Sequence, residues 1–345
     1  MAEWPEYVQT EKQLDELLSR PPAAVVDLMA GLTGDLLILG VAGKMGPTLA
    51  LMARRAADAA GARLQVVGVS RFSSPETRAW LEGHGIETLT CDLLDPEQVR
   101  RLPRIPNVVF MAGRKFGTTG DEPLTWACNT LMPAYACDRF RESRIAAFST
   151  GCVYPFVPAD SSGCTEDTPT DPVGDYAQSC LGRERIFQHF SRANGTPVTL
   201  VRLNYAIDMR YGVLHDIASR VWAGEPVDRT VPTANVIWQG DANAQALLCL
   251  DHCASPASVL NVTGPETLSV EDVARTFGEL MGKPVTFAGT PGDRAYLSDA
   301  SRARSFFGPP RVPLEQLVRW TADWVQRGGR SLNKPTHYEV NSGVF

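Results

Sequence analysis

Long apolar runs are missing from this 345-residue chain. None approaches the roughly 18 residues that a membrane-spanning helix needs, so a helical membrane protein is not expected. A basic surplus is missing too. Lys and Arg total 33 against 39 Asp and Glu, a net charge of -6, which argues against gripping a nucleic-acid backbone as the main task. The N-terminus, Met1-Ala2-Glu3-Trp4-Pro5-Glu6, lacks the basic and apolar regions of a signal peptide. The eight cysteines show no paired spacing of a zinc ribbon or redox motif. Cys249 and Cys253, with His252 between them, have no second ligand pair nearby and read as the buried end of a helix. Repeats and low-complexity blocks are absent. The expectation is a soluble, cytoplasmic protein without a metal, its thiols mostly small buried groups in a reducing compartment.

What is there is enough apolar material, 44% of residues, to build a real core. Apolar runs at 36–40, 64–69, 107–112, 145–149 and 198–203 alternate with helical stretches at 46–60, 75–83, 123–141 and 176–194. Runs apolar on both faces and separated by helices predict a parallel sheet covered on both sides. The fold class is therefore α/β, a Rossmann-type doubly wound sheet. Residues 1–34 form an N-terminal extension, with a short polar helix at 6–20 ended by Pro21-Pro22 and then a loop containing glycine. Residues 35–205 make the dinucleotide-binding core. Residues 206–330 are mainly a smaller lobe for substrate, with a return to the core and a helix at 313–327. Residues 331–345 have no periodic pattern and read as a tail packed on the surface or on a partner chain.

Four local patterns carry chemistry. Gly40, Gly43 and Gly46 lie between a strand and an amphipathic helix, with Lys44 and Met45 inside the loop. That spacing suits a tight turn, close approach of a pyrophosphate, and a helix N-terminus facing phosphates. The second strand ends in Ser70-Arg71 rather than in an acid that would bind ribose hydroxyls. A guanidinium suits a 2′-phosphate, so NADP is favoured over NAD, with a merely solvated Arg71 as the plain alternative. After a third strand, Asp92 is placed to meet the adenine amine while the Leu93 backbone follows the ring edge. The remaining patterns are Met111-Ala112-Gly113-Arg114-Lys115, Ser149-Thr150-Gly151-Cys152-Val153-Tyr154, and Tyr176-Ala177-Gln178-Ser179-Cys180 opening a helix.

Together these residues resemble the extended short-chain dehydrogenase/reductase family, in its NAD-dependent epimerase/dehydratase branch. The likeness spans roughly residues 35–327. It rests on the three glycines, on Asp92-Leu93 after the third strand, and on Ala112-Gly113-x-Lys115, which is similar to a stretch of UDP-galactose 4-epimerases. It rests further on Thr150, four residues before Tyr154, and on Asn204 in Arg202-Leu203-Asn204-Tyr205. Asn261-Val262-Thr263-Gly264 and Pro291-Gly292-Asp293-Arg294 resemble the family's substrate-domain landmarks. The resemblance implies that Tyr176 is the acid/base, that Thr150 holds the substrate oxygen, and that Ala112, Gly113 and Lys115 touch the cofactor. It also implies a homodimer through the helices at 123–141 and 176–194.

One departure matters most. In the family a lysine four residues after the tyrosine lowers the phenol's pKa and grips the nicotinamide ribose. Here that position is Cys180. Moving a phenol from about 10 toward 7 is worth roughly 4 kcal/mol, which a neutral thiol does not supply. Either another cation, Lys115 or Arg183, takes over, or the protein binds a dinucleotide as a sensor or scaffold with little redox turnover. Cys180 as a nucleophile has only its nearness to Cys152 in favour. The family's sugar-nucleotide 4,6-dehydratases carry an Asp-Glu pair directly after the catalytic threonine. Gly151-Cys152 stand here, so water elimination is disfavoured. The expected activity is an NAD(P)-dependent oxidoreductase or epimerase acting on a hydroxyl of a sugar, sugar acid or nucleotide sugar. Asn204, His215, Trp238 and Arg294 are the candidate substrate contacts.

Overall fold

The computed structural model describes residues 4–115 and 117–341. Seven strands form one parallel sheet: β1 Leu36–Leu39, β2 Val66–Ser70, β3 Glu87–Thr90, β4 Asn107–Phe110, β5 Arg144–Thr150, β6 Val198–Leu203 and β7 Ser258–Val262. Their spatial order is β7-β6-β5-β4-β1-β2-β3. The order reverses between β1 and β4, the switch point where doubly wound sheets open a ligand crevice. β1, β4, β5 and β6 carry buried aliphatic or aromatic side chains toward both faces, as a sheet covered by helices requires. One face packs on the helix Gly46–Ala59 and the other on the helices Glu122–Arg139 and Gly174–Asn194.

The second half builds the predicted smaller lobe around its own core, which includes Leu214, Ile217, Phe277, Trp238 and Trp320. Helices Val213–Ala223, Val270–Met281 and Leu314–Gln326 supply most of it. Asn261 does not stand where its resemblance to a substrate-domain landmark implied. Asn261 belongs to β7, at the edge of the main sheet paired in register with Arg202, not to the substrate lobe. Its run Ser-Val-Leu-Asn-Val is short and β-branched, and it finds an open edge beside β6.

The N-terminal segment also departs from expectation. The first helix, Glu11–Leu18, does stop before Pro21-Pro22, but the stretch expected as a loop holds a second helix, Ala23–Gly31. Pro22 serves as the N-cap of the second, where its fixed φ and missing N–H cost nothing. Leu14, Leu17 and Leu18 join the lobe's core, while Val25, Leu28 and Met29 join the sheet's core. The extension therefore ties the two halves together. Cys249 lies in a 3-10 turn directly after the helix Gln239–Leu248, and the Cys253 thiol donates to its carbonyl at 3.4 Å.

Candidate active site

The glycine loop has the conformation its spacing demands. Gly40 sits at φ +89°, and a Cβ there would lie 2.7 Å from the Ala112 backbone. Gly46 packs against the carbonyl of Val41, which a Cβ would meet at 2.1 Å. Gly43 differs: its missing Cβ faces only the Gly40 carbonyl oxygen, at 3.2 Å, and the residue is exposed. Helix Gly46–Ala59 starts without a side-chain cap; the Gly46 N–H donates to the carbonyl of Gly43 at 3.2 Å, and the Leu49 N–H to that of Met45 at 3.0 Å. Open approach at Gly43 beside an uncapped helix start fits a dinucleotide's pyrophosphate.

Two of the loop residues do different work. Met45 turns its side chain into the sheet's core. Lys44 points the other way, toward the lobe, where its ammonium donates to the carbonyl of Ala206 at 3.1 Å and lies 3.5 Å from the Tyr211 ring centre. Enclosure pushes its pKa down to about 7, against the pull of Asp208. Along the adenine side, Ser70 ends β2, and Arg71 is exposed beyond it. The Asp92 carboxylate accepts from the N–H of Leu94 at 3.0 Å, and the Leu93 side chain is core.

β5 and the helix Gly174–Asn194 bring the reactive candidates together. A cavity of about 130 Å³ is lined by Lys115, Thr150, Cys152, Tyr176, Asn204 and Tyr205, among others. Thr150 closes β5, and its hydroxyl accepts from the N–H of Cys152 at 3.2 Å. The Lys115 ammonium stands 5.8 Å from the Tyr176 ring centre. Burial holds the Tyr176 phenol well above its ordinary range, and Arg183 pulls it down.

Cys180 is completely buried and hydrogen-bonded to Tyr176. Burial also raises its thiol pKa, so the nucleophile reading is set aside: an enclosed, protonated thiol is inert. Arg183, one turn further along the helix, is buried beneath the cofactor loop. It donates to the carbonyl of Phe148 at 3.0 Å and to the Asn129 side chain. A Cβ at Gly113 would lie 2.1 Å from this guanidinium, so a larger residue there would displace it.

Asn129, overlooked in the sequence, is the hub of this layer. Its side chain accepts from the N–H of Arg114 at 3.0 Å and donates to the carbonyl of Arg114 at 3.0 Å and the Ser179 hydroxyl at 2.9 Å. A lone Asn inside a helical pattern carries no signal of its own. Below it, a buried network fixes the end of β5. Ser149 donates to Glu184 at 2.6 Å, and Arg202 pairs with both Glu184 oxygens at 2.9 and 2.8 Å. Arg202 also donates to the Tyr154 hydroxyl at 2.7 Å, which in turn donates to Asn261 at 2.8 Å.

The substrate candidates separate. Asn204 is in the cavity wall, held by Asn235 at 2.8 Å. His215 is not in that wall; its ring bonds Ser331 at 3.0 Å on the far side. Arg294 lies outward, donating to the carbonyl of Phe156 at 3.1 Å beside a separate cavity of about 350 Å³. Trp238 is corrected outright. Only 1% exposed, it stacks edge-on with Trp320 at 5.8 Å inside the lobe's core. The apolar run Val-Ile-Trp that made it look like a wall strand is core material.

Residues 36–207, about half of the chain, match the model of the NAD dependent epimerase/dehydratase family. The chain belongs to that family. Among curated proteins none matches. Solved structures share the fold. The UDP-glucuronic acid 4-epimerase of Bacillus cereus, in complex with NAD, is 18% identical with a TM-score of 0.70, covering 86% of this chain and 99% of that one. The UDP-glucose 4-epimerase of Thermotoga maritima, with UDP-glucose, is 18% identical at 0.69, covering 86% and 99%. The dTDP-glucose 4,6-dehydratase of Streptomyces venezuelae, with NAD bound, is 16% identical at 0.73, covering 86% and 97%. No helix of the described residues is long and apolar enough to cross a membrane.

Proposed function

We propose that this protein is an NAD(P)-dependent oxidoreductase or epimerase acting on a carbohydrate hydroxyl, with Tyr176 as acid/base. One observation carries the reading: Tyr176, Thr150, Lys115 and Asn204 share one cavity beyond the carboxyl ends of β5 and β6, on the side of the sheet where the glycine loop leaves β1. That is where a doubly wound sheet binds its ligand.

A bound oxidised nicotinamide dinucleotide supplies the hydride acceptor. The chain's own residues do the rest. Thr150 orients the substrate oxygen, and Tyr176 takes its proton. The positive charge that favours the phenolate comes from two directions. Arg183 approaches from beneath, and Lys115 stands over the ring. Gly40, Gly43, Gly46, Ala112 and Gly113 shape the cofactor's seat, Lys44 lies beside it, and Asp92 with the Leu93 backbone faces its adenine. Arg71, exposed after β2, favours NADP over NAD through the 2′-phosphate. The dinucleotide core is 35–205 and the substrate lobe mainly 206–330.

The helix Glu122–Arg139 leaves Leu124, Trp126 and Leu131 exposed, which fits a second copy docking there in a cytoplasmic homodimer. The competing reading, a dinucleotide sensor with a disabled site, draws on the raised phenol pKa. Titration with NADPH and NADH, followed by a turnover panel of sugars and sugar acids on native protein and Tyr176→Phe, separates the two. Turnover that the phenylalanine variant loses supports the enzyme. Binding without turnover supports the sensor.

A further inference from the structure

The segment 330–345 was expected to be a tail on the surface or on a partner. Its described part, 331–341, instead crosses the mouth of the site as a strap. Leu332 donates its N–H to the carbonyl of Arg210 at 3.0 Å. Ser331 bonds His215 at 3.0 Å. Thr336 gives both its N–H and its hydroxyl to one oxygen of Asp216, at 2.8 and 2.6 Å, and is 1% exposed. Tyr338 buries its ring in the lobe's core and donates its hydroxyl to the carbonyl of Asp228 at 3.0 Å. Asn333 and His337 sit at φ +50° and +56°, in the left-handed region that Asn and His enter more readily than most residues.

The strap borders three separate cavities. Thr336 walls the reaction cavity of about 130 Å³, and the Lys115 ammonium donates to its carbonyl at 3.4 Å. Lys334, Pro335 and Tyr338 border one of about 210 Å³ against the helix Val213–Ala223. Asn341 borders the one of about 350 Å³ beside Phe156 and Arg294. A single segment thus lines the reaction cavity and two neighbouring ones. The compartment holding Tyr176 is smaller than the roughly 300–1,000 Å³ of ordinary ligand pockets, and near the size that accepts one six-membered ring. The fold neighbours, which include structures solved with UDP-sugars, leave part of this chain without a counterpart.

We propose that the strap is a specificity wall that shuts a nucleoside diphosphate out of the cleft, so that the substrate is a free sugar or sugar acid carrying no nucleotide. The proposal rests on the oxidoreductase reading of the same cavity and narrows its substrate class. Asp216 and Tyr338 are positioning residues that hold the wall, and Thr336 is the part that faces the substrate.

The test is calorimetric titration of the full-length protein with UDP and with UDP-glucuronic acid, in the presence of NADP. The native protein is expected to give no saturable heat. Asp216→Asn, which weakens the Thr336 anchor, and Tyr338→Ala, which frees the strap from the lobe, are each expected to give saturable heat with UDP. Asp216→Asn keeps the question open to refutation where Tyr338→Ala fails to fold. Saturable UDP binding to native protein overturns the proposal. So does a pair of folded variants that bind UDP no better than native, because the strap is then not what excludes it. Failure of the underlying reading shows differently, as no binding of NADPH or NADH to the native protein, measured separately by fluorescence, or as binding with no turnover of any carbohydrate.

Discussion

Tyr176 and Cys180 are hydrogen-bonded to each other, one helical turn apart, at the place where the family sets a tyrosine and a lysine. A buried, neutral thiol carries no charge to favour the phenolate, whereas Arg183, a further turn along, lowers the phenol's pKa.

Replacing Cys180 by lysine puts a cation beside Tyr176. The phenol's pKa then falls, and the limb of the pH profile along which oxidation speeds up moves to lower pH. Fitting the longer side chain into the packed site costs about 1–3 kcal/mol. Rate against pH for native and variant protein measures the shift; a limb displaced to higher pH contradicts it.

Arg183→Leu acts in the reverse sense. The phenol loses its buried positive neighbour, so the same limb moves to higher pH. The carbonyl of Phe148 and the Asn129 side chain also lose their donor, at about 1–3 kcal/mol for each buried group left unpaired. Arg183→Lys keeps the charge and recovers part of the profile, which a purely structural role for the guanidinium does not predict.

Lys44 gives a stability signature. Its pKa in the folded protein is about 7, below the ordinary lysine value of 10.5, because burial disfavours the charged form. Between those two values the unfolded chain holds a proton that the folded chain has released. Stability therefore gains from this residue as pH climbs from about 7 toward 10.5. Thermal unfolding across that range, compared with Lys44→Met, isolates the contribution; the variant loses that part of the slope.

Glu184→Gln tests the network beneath the site. Glu184 is fully buried and Arg202 4% exposed, so the substitution leaves a buried guanidinium without its counter-charge. The cost is about 3–5 kcal/mol in urea unfolding. Activity falls as well, because Ser149, directly before Thr150, loses its acceptor carboxylate.

The nucleotide half of the site was legible because its constraints are local. The glycine spacing, the strand before it and the helix after it are all set by nearest neighbours. Tyr176 and Thr150 were legible through chain motifs that the sheet then juxtaposes. The strap was not, since Thr336 and Asp216 are far apart in sequence and an extended polar segment has no period. Trp238 misled because a short apolar run reads alike in a cavity wall and in a core. Asn261 misled because sheet-edge pairing is a long-range choice. The break at Pro21-Pro22 was seen, but proline starts helices as readily as it stops them.

The central claim is that Tyr176 moves a proton despite lacking its usual lysine, and the most direct measurement is NADP reduction by the accepted carbohydrate in native and Tyr176→Phe protein. The account predicts a loss of about 10²-fold or more in rate, with dinucleotide affinity changed by no more than about twofold. An undiminished rate in the phenylalanine variant, or firm dinucleotide binding with no turnover of any carbohydrate by the native protein, contradicts it.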